Sequence, residues 1–273
     1  MIKRFQNYSF GTVIPFVLLH AGCIALFFVS FRWSWAALML AMYAVRMFAI
    51  TAGYHRYFSH RTYKLGRGWQ FLMAFLAETS GQKGVLWWAA HHRVHHRHAD
   101  DEHDIHSPLK RGFWWAHVGW VLSNEFDSYD PALIKDFSKF PELRWLDKHY
   151  LVPPAVLALV ILIAGGLGAF VWGFVASTVL LFHGTFTINS VAHLWGTRRF
   201  ETPDDSRNNF VLALLTLGEG WHNNHHKFMY ACQQGIRWWE VDVTYYALKV
   251  LSWLGVARDL RGIRMPLSER EAG

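Results

Sequence analysis

The chain alternates between long apolar blocks and polar ones. Phe10 to Phe31 runs 22 residues without Asp, Glu, Lys or Arg, and Trp33 to Gly53 runs 21 broken only by Arg46. Leu151 to Thr197 runs 47 residues with no formal charge at all. A hydrocarbon core of ~30 Å takes about 20 helical residues to cross. The first two blocks each predict one span, and the third is long enough for two, reversing around Gly165, Gly166, Gly168 and Gly173. The pattern predicts an all-α integral membrane protein. Its four transmembrane helices form two hairpins, at about 10–31, 33–53, 152–171 and 173–193. The polar blocks 54–150 and 194–273 predict a cytosolic helical cap, residues 1–273 making one membrane domain. Gly68 to Ala90 is apolar but carries Glu78 and Lys83, which predicts a helix lying in the membrane interface. The pairs Trp114–Trp115 and Trp238–Trp239 suit headgroup-level anchoring or plain packing equally.

Composition agrees with this partition. Charged residues make up 17% of the chain, against about 25% in soluble domains. Cys23 and Cys232 stand too far apart for a CxxC redox pair and are too few for a disulfide scaffold or a thiolate zinc site. Of the 27 Lys and Arg residues, 25 lie in the N-terminal segment (Lys3, Arg4) or in the two polar blocks. Basic residues stay cytoplasmic, so both termini and the cap are expected there. The net charge of +7 then reads as attraction to anionic headgroups. With no basic stripe of its own, the chain offers nucleic acid no surface.

The 17 histidines change the picture most. Four clusters stand out: His55-Arg-Tyr-Phe-Ser-His60, His92-Arg-Val-His95-His96, Asn189-Ser-Val-Ala-His193 and His222-Asn-Asn-His225-His226. Helix positions i, i+3 and i+4 share a face, so each HxxHH aims three imidazoles at one volume. Asn189 and His193 share a face in the same way, and HxxxxH suits a helix end wrapping round a site. Every cluster borders a span or lies in the cap, so all four can converge beneath the membrane. Nine imidazoles exceed the needs of one ion and suit two, with Asn189 binding directly or through water. Imidazole accepts Zn, Cu, Fe and Ni alike, so ligand type alone does not name the metal. His20 and His183 are expected to pack between helices. His91, His98, His103 and His106 crowd the second cluster without being expected as primary ligands. Asp100, Asp101, Asp104 and Glu219 are candidates to hold the distal N–H of a ligating imidazole.

HRYFSH, HRVHH, NSVAH and GEGWHNNHH, in this order between membrane blocks, resemble the integral-membrane acyl desaturases of the stearoyl-CoA Δ9 type. The resemblance runs from about Gly53 to Leu260 and includes RGFWWAHVGW and SRNNFVLALLTLGEGWHNNHH. It implies two irons held by nine histidines and one asparagine. His55, His60, His92, His96 and His225 would serve one iron; His95, His193, His222 and His226 would serve the other, with Asn189 acting through water. It also implies a bent acyl tunnel past Gln82, Trp88 and Thr185, with Tyr43 near its closed end. Where animal relatives grip the CoA headgroup, this chain reads Lys83-Gly84, Ala90-His91 and Asn124-Glu125, with Lys83, Lys110 and Arg111 as substitutes.

The expected activity is O2-dependent insertion of a cis double bond, at Δ9, into a saturated acyl chain. Acyl-CoA is the first choice of carrier, with phospholipid or a carrier protein as alternatives. A separate electron donor is expected, such as ferredoxin, rubredoxin or cytochrome b5 with its reductase. The expected location is a bacterial inner membrane, and zinc can occupy such sites as an artefact. A lipid hydroxylase on the same scaffold is the alternative enzyme. A zinc transporter is disfavoured, because Arg46, His20, His183 and the membrane-edge His193 make a poor ion path.

Overall fold

The computed structural model describes residues 8–265; Lys3 and Arg4 lie outside them. The protein is helical, with one two-stranded ribbon pairing Lys64–Leu65 with Ala257–Arg258. Among the described residues, three helices are long and apolar enough to cross a membrane: Phe10–Phe27, Trp33–Ser59 and Val152–His193.

None of the residues in Phe10–Gly22 is buried, and Phe10, Leu18 and Phe27 present large apolar surfaces outward. Such a face is stable against lipid and costly against water. The last of the three helices spans 42 residues, which as a straight rod would reach about twice the hydrocarbon thickness. It is interrupted at Gly166, whose φ of 71° and ψ of −171° suit glycine alone. A Cβ on Gly173 would sit 3.6 Å from Ile161, although twelve helical residues would separate them by about 18 Å. The chain therefore turns at Gly166, one of the four glycines around which a reversal was expected, and the first arm ends several residues before 171.

The second helix corrects another boundary. It does not stop at Gly53 but continues to Ser59, with π-helical hydrogen bonding over Ala49–Ser59, every residue of which is buried. Arg46 is buried in its middle. Its guanidinium donates to Ser177 Oγ, Thr178 Oγ1 and the Met42 carbonyl, which satisfies the charge in apolar surroundings.

The single interfacial helix expected over 68–90 is two helices, Arg67–Glu78 and Val85–His98. The turn between them uses left-handed backbone at Gly81 and Lys83. Asp147 then accepts the Leu86 and Trp87 amide N–H groups, capping the second helix at its positive end. A Cβ on Gly84 would lie 2.2 Å from that carboxylate, so only glycine lets the cap approach. Met47, Ile50, Phe58, Leu86, Leu146 and Leu248 share one core. A smaller cluster around Ile161, Ala169, Phe174 and Val175 packs the spans.

Candidate metal centre

The nine histidines of the four clusters meet in two adjoining groups. His55, His60, His92, His96 and His225 offer ring nitrogens all within 4.8 Å of one another, and so do His95, His193, His222 and His226. Each HxxHH cluster feeds both groups: the neighbours His95 and His96 part ways, as do His225 and His226. The groups touch, the His96 and His226 rings lying 4.5 Å apart.

Local backbone geometry explains the spacings. In an α-helix five residues turn the side chain by about 140° away from its starting face. The π-helical turn closes i→i+5 hydrogen bonds instead, and the His60 amide donates to the His55 carbonyl. His55 and His60 therefore stand one turn apart, and their rings meet edge to face at 4.8 Å. His222–Lys227 is only six residues long and cannot persist on its own. The two asparagines inside its motif hold it. Asn223 Oδ1 accepts the Arg199 and Phe200 amides. Asn224 donates to Glu240 and the Gln234 carbonyl, and accepts from Asn208.

Carboxylates fix four of the rings from behind. Through Nδ1, His55 pairs with Glu219 at 2.5 Å, His95 with Asp104 at 3.1 Å, His193 with Asp100 at 2.7 Å and His226 with Asp204 at 2.8 Å. Each pairing puts the proton on Nδ1 and turns the Nε2 lone pair inward. Glu219 also accepts from Arg56 and Gln234. Burial would raise its pKa, but His55 and Arg56 outweigh that and hold it at about 2. Asp100 is likewise brought to about 2, the bond from His193 outweighing burial. Burial drives His60, His92, His96, His222 and His225 well below the usual histidine range, helped by neighbouring imidazoles. It brings His226 to about 4 despite Asp204. These rings are neutral at pH 7 and available as ligands.

Several inner nitrogens face each other at hydrogen-bond distance. The Nε2 atoms of His55 and His225 lie 3.0 Å apart, and those of His193 and His222 lie 3.1 Å apart. Nδ1 of His96, His222 and His225 and Nε2 of His226 are buried with no hydrogen-bond partner. A buried nitrogen left without a partner is costly, and His226 Nε2, whose Nδ1 is held by Asp204, is such an atom on the inner side. Around a cation with bonds of about 2.0–2.1 Å, neighbouring nitrogens fall roughly 3 Å apart. The donor set fits metal binding.

Beside the centre lies an apolar cavity of about 400 Å³, within the range of ligand pockets. Phe16, Leu19, Ala158 and Phe182 line it in the spans, and His92 and Asn189 line it toward the histidines. Gln82, Trp88 and Thr185 are on its wall; Gln82 Nε2 donates to Thr185 Oγ1 at 3.0 Å, and Trp88 stacks on His92. Tyr43 is not among the lining residues. Its hydroxyl donates to the Leu215 carbonyl at 2.7 Å and packs against Gly184.

Of the four carboxylates singled out in the sequence, Asp100, Asp104 and Glu219 back histidines of the centre. Asp101 instead pairs with His98 near the surface. Asp204 was missed; it comes from a loop whose sequence carries no periodic signal. His20 and His183 bond to each other, and His183 continues to His117 and then Ser190, a polar chain the sequence did not suggest.

Comparison with known proteins gives this arrangement a family. The family model for fatty acid desaturases matches residues 32–251. The acyl-CoA 5-desaturase AL21 of Anemone leveillei is 37% identical over 249 residues, covering 89% of this chain and 76% of the relative. An sn-1 stearoyl-lipid 9-desaturase of Anabaena variabilis is 35% identical over 250 residues, covering 90% and 91%. A chloroplastic palmitoyl-monogalactosyldiacylglycerol delta-7 desaturase of Arabidopsis thaliana is 33% identical over 265 residues, covering 95% and 70%. The chain belongs to the fatty acid desaturase family and is a membrane fatty acyl desaturase, an oxidoreductase.

Proposed function

We propose that this protein is a di-iron Δ9 desaturase that inserts a cis double bond into a saturated acyl chain carried by a membrane glycerolipid. The observation that carries the reading is the pair of buried histidine groups at one end of an apolar, chain-sized cavity. In the balanced reaction, an acyl –CH2–CH2– unit, O2, two electrons and two protons give –CH=CH– and two waters.

An unactivated methylene has no acidic proton, so side-chain acid–base chemistry cannot begin the reaction. The irons would supply the O2 and electron chemistry. His55, His60, His92, His96 and His225 would hold one, and His95, His193, His222 and His226 the other, with Asn189 on the cavity wall acting through water. Asp100, Asp104, Asp204 and Glu219 keep the Nδ1 protons in place, so that Nε2 stays free to ligate. The cavity excludes water and fixes which carbons approach the histidines. The Gln82–Thr185 bond ties its two walls together, and Trp88 sets a flat face beside His92.

The engagement of three basic residues supports this choice of carrier. Lys83 is committed to Asp127 and Thr12, Lys110 to Glu102, and Arg111 to Glu125 while lying 3.7 Å over Trp115. With these three substitutes neutralised, a grip on CoA phosphates has little left to use. The Anabaena relative, named for a lipid-borne stearoyl chain and covered over nearly its whole length, supports the same choice. Acyl-CoA is the second reading, favoured by the Anemone relative and by Lys83 on the cavity wall.

The break at Gly166 supports four spans in two hairpins within a single membrane domain. The basic bias supports a cytoplasmic cap in a bacterial inner membrane, reduced by an external electron-transfer protein. The test is expression in a host lacking desaturases, with mass spectrometry of its lipids. Loss of two hydrogens at C9–C10 is expected, and gain of one oxygen would make the enzyme a hydroxylase. Purified enzyme with a reductant, offered stearoyl-phospholipid and stearoyl-CoA separately, decides the carrier.

A further inference from the structure

The loop after the Val85–His98 helix has two faces. Asp100 adopts left-handed backbone, φ 60°, a conformation Asp tolerates better than most residues. Successive carboxylates thereby serve opposite sides. Asp100 and Asp104 bond inward to His193 and His95, while Asp101 is exposed and bonds outward.

On the outer face His98, Asp101 and His103 converge. His98 Nδ1 lies 3.0 Å from Asp101 Oδ2, and His103 Nδ1 lies 3.7 Å from Asp101 Oδ1. Ligand atoms of all three fall within 4.8 Å of one another. The His103 amide N–H donates to Asp101 Oδ1 at 2.6 Å, which holds the carboxylate between the two rings. Around one ion with bonds of about 2.0–2.2 Å to imidazole nitrogen and carboxylate oxygen, ligand atoms stand roughly 3–3.5 Å apart. The observed separations are close to that. None of the three residues belongs to the buried groups. The His98 and His103 side chains are 34% and 78% exposed, so water can complete a coordination shell. Two imidazoles with one carboxylate select Zn, Ni or Cu over Mg or Ca.

We propose that His98, Asp101 and His103 form a separate divalent-metal site of the zinc class on the outer surface of the cap. The site lies on the segment that orients two histidines of the buried centre. A cation bound outside therefore restrains Asp100 and Asp104 inside, and its occupancy steadies His193 and His95 by mass action.

The experiment uses the full-length holoenzyme in detergent, loaded with iron and equilibrated with Zn2+, with zinc and iron counted in the same sample. Wild type is expected to hold one Zn2+ per chain with its iron unchanged. The double variant His98→Ala with His103→Ala is expected to lose that equivalent and keep its iron. Hydrogen exchange across residues 99–107 is expected to slow in wild type alone, by up to about a hundredfold at free Zn2+ a hundred times the Kd. The proposal is overturned if the variant keeps the zinc, if zinc enters only as iron leaves, or if exchange is unchanged. Failure of the di-iron reading shows separately, as iron missing from the holoenzyme before zinc is added.

Discussion

The five-histidine and four-histidine groups lie side by side and draw on the same two helices, yet they are supported differently. In the first, Glu219 is the one carboxylate bonded to a ring, and Arg56 already shares its charge. In the second, Asp104, Asp100 and Asp204 each hold one of four rings. The first group relies on the number of its nitrogens, the second on the anions behind them. In a poorly screened interior, three nearby negative charges favour a bound cation strongly. They also favour protonation where they act most directly. Burial lowers His222 and His226 in this group, but Asp104, with Asp100 and Asp204, outweighs it at His95 and raises that pKa, whereas four of the five rings in the other group are lowered. Two sites of identical ligand type can thus be tuned apart by what stands behind the ligands.

Removing a ring tests the comparison most severely. His95→Ala or His226→Ala takes one nitrogen of four. Either is expected to abolish turnover and halve the bound metal, with membrane insertion intact. His92→Ala takes one of five and is expected to retain more metal. Full turnover by the His95 or His226 variant would remove the ligand assignment.

Neutralising the supports is the next largest effect. Asp204→Asn and Asp104→Asn are expected to weaken metal binding by about 10–100-fold. Glu219→Gln is expected to weaken it less, because its group has five nitrogens to share the loss and Arg56 keeps Asp242 as a partner. Equal losses, read by competition with a chelator, would erase the distinction.

Acid should then act on both groups without mutation. Free histidine titrates near 6.5, and the lowered rings refuse protons that the unfolded chain accepts. Stability of the metal-free protein therefore falls as pH drops from about 6.5 toward 4, with His226 titrating at about 4. Glu219 and Asp100, both held at about 2, contribute stability above the ordinary carboxylate range that is lost only as pH falls toward 2. His95, being raised, runs the other way; its contribution is complete below 6.5 and lost as pH rises through its folded value. Thermal melts in detergent at pH 7.5, 6 and 5 read the sum. A protein that gained stability on acidification would contradict the dominance of the lowered rings.

Glu78→Gln is the smallest change and serves as a control. Burial lifts the Glu78 pKa to about 8, so the group is protonated at neutral pH, and its Oε1 accepts the Val85 amide. Glutamine keeps that acceptor. The helix it supports supplies both groups, so metal content and turnover should change together and by about twofold or less. A loss confined to one group would show that this helix does not serve both alike.

Much of the site was legible in the sequence because its ligands are periodic. HxxHH on a helix can face only one way, and all nine histidines singled out by spacing do converge. What escaped was whatever depends on non-α backbone or on loops. The spacing of His55 and His60 makes sense only on a π-helical turn, which propensity does not signal. Asp204 reaches His226 from an irregular segment, and Asn223 and Asn224 look like filler until their bonds to Arg199, Phe200 and Asn208 are traced. Hydropathy found the apolar blocks and a reversal among four nearby glycines, but could not choose Gly166 from the other three.

The parting of His95 from His96, and of His225 from His226, makes the peptide backbone a gauge block. Successive Cα atoms are 3.8 Å apart across a trans bond, and this length does not stretch. The separation of the two halves is therefore set twice over by covalent geometry, once on each helix. Side chains may relax and helices may slide, but the two pockets can neither merge nor drift apart without unwinding the helices that carry them.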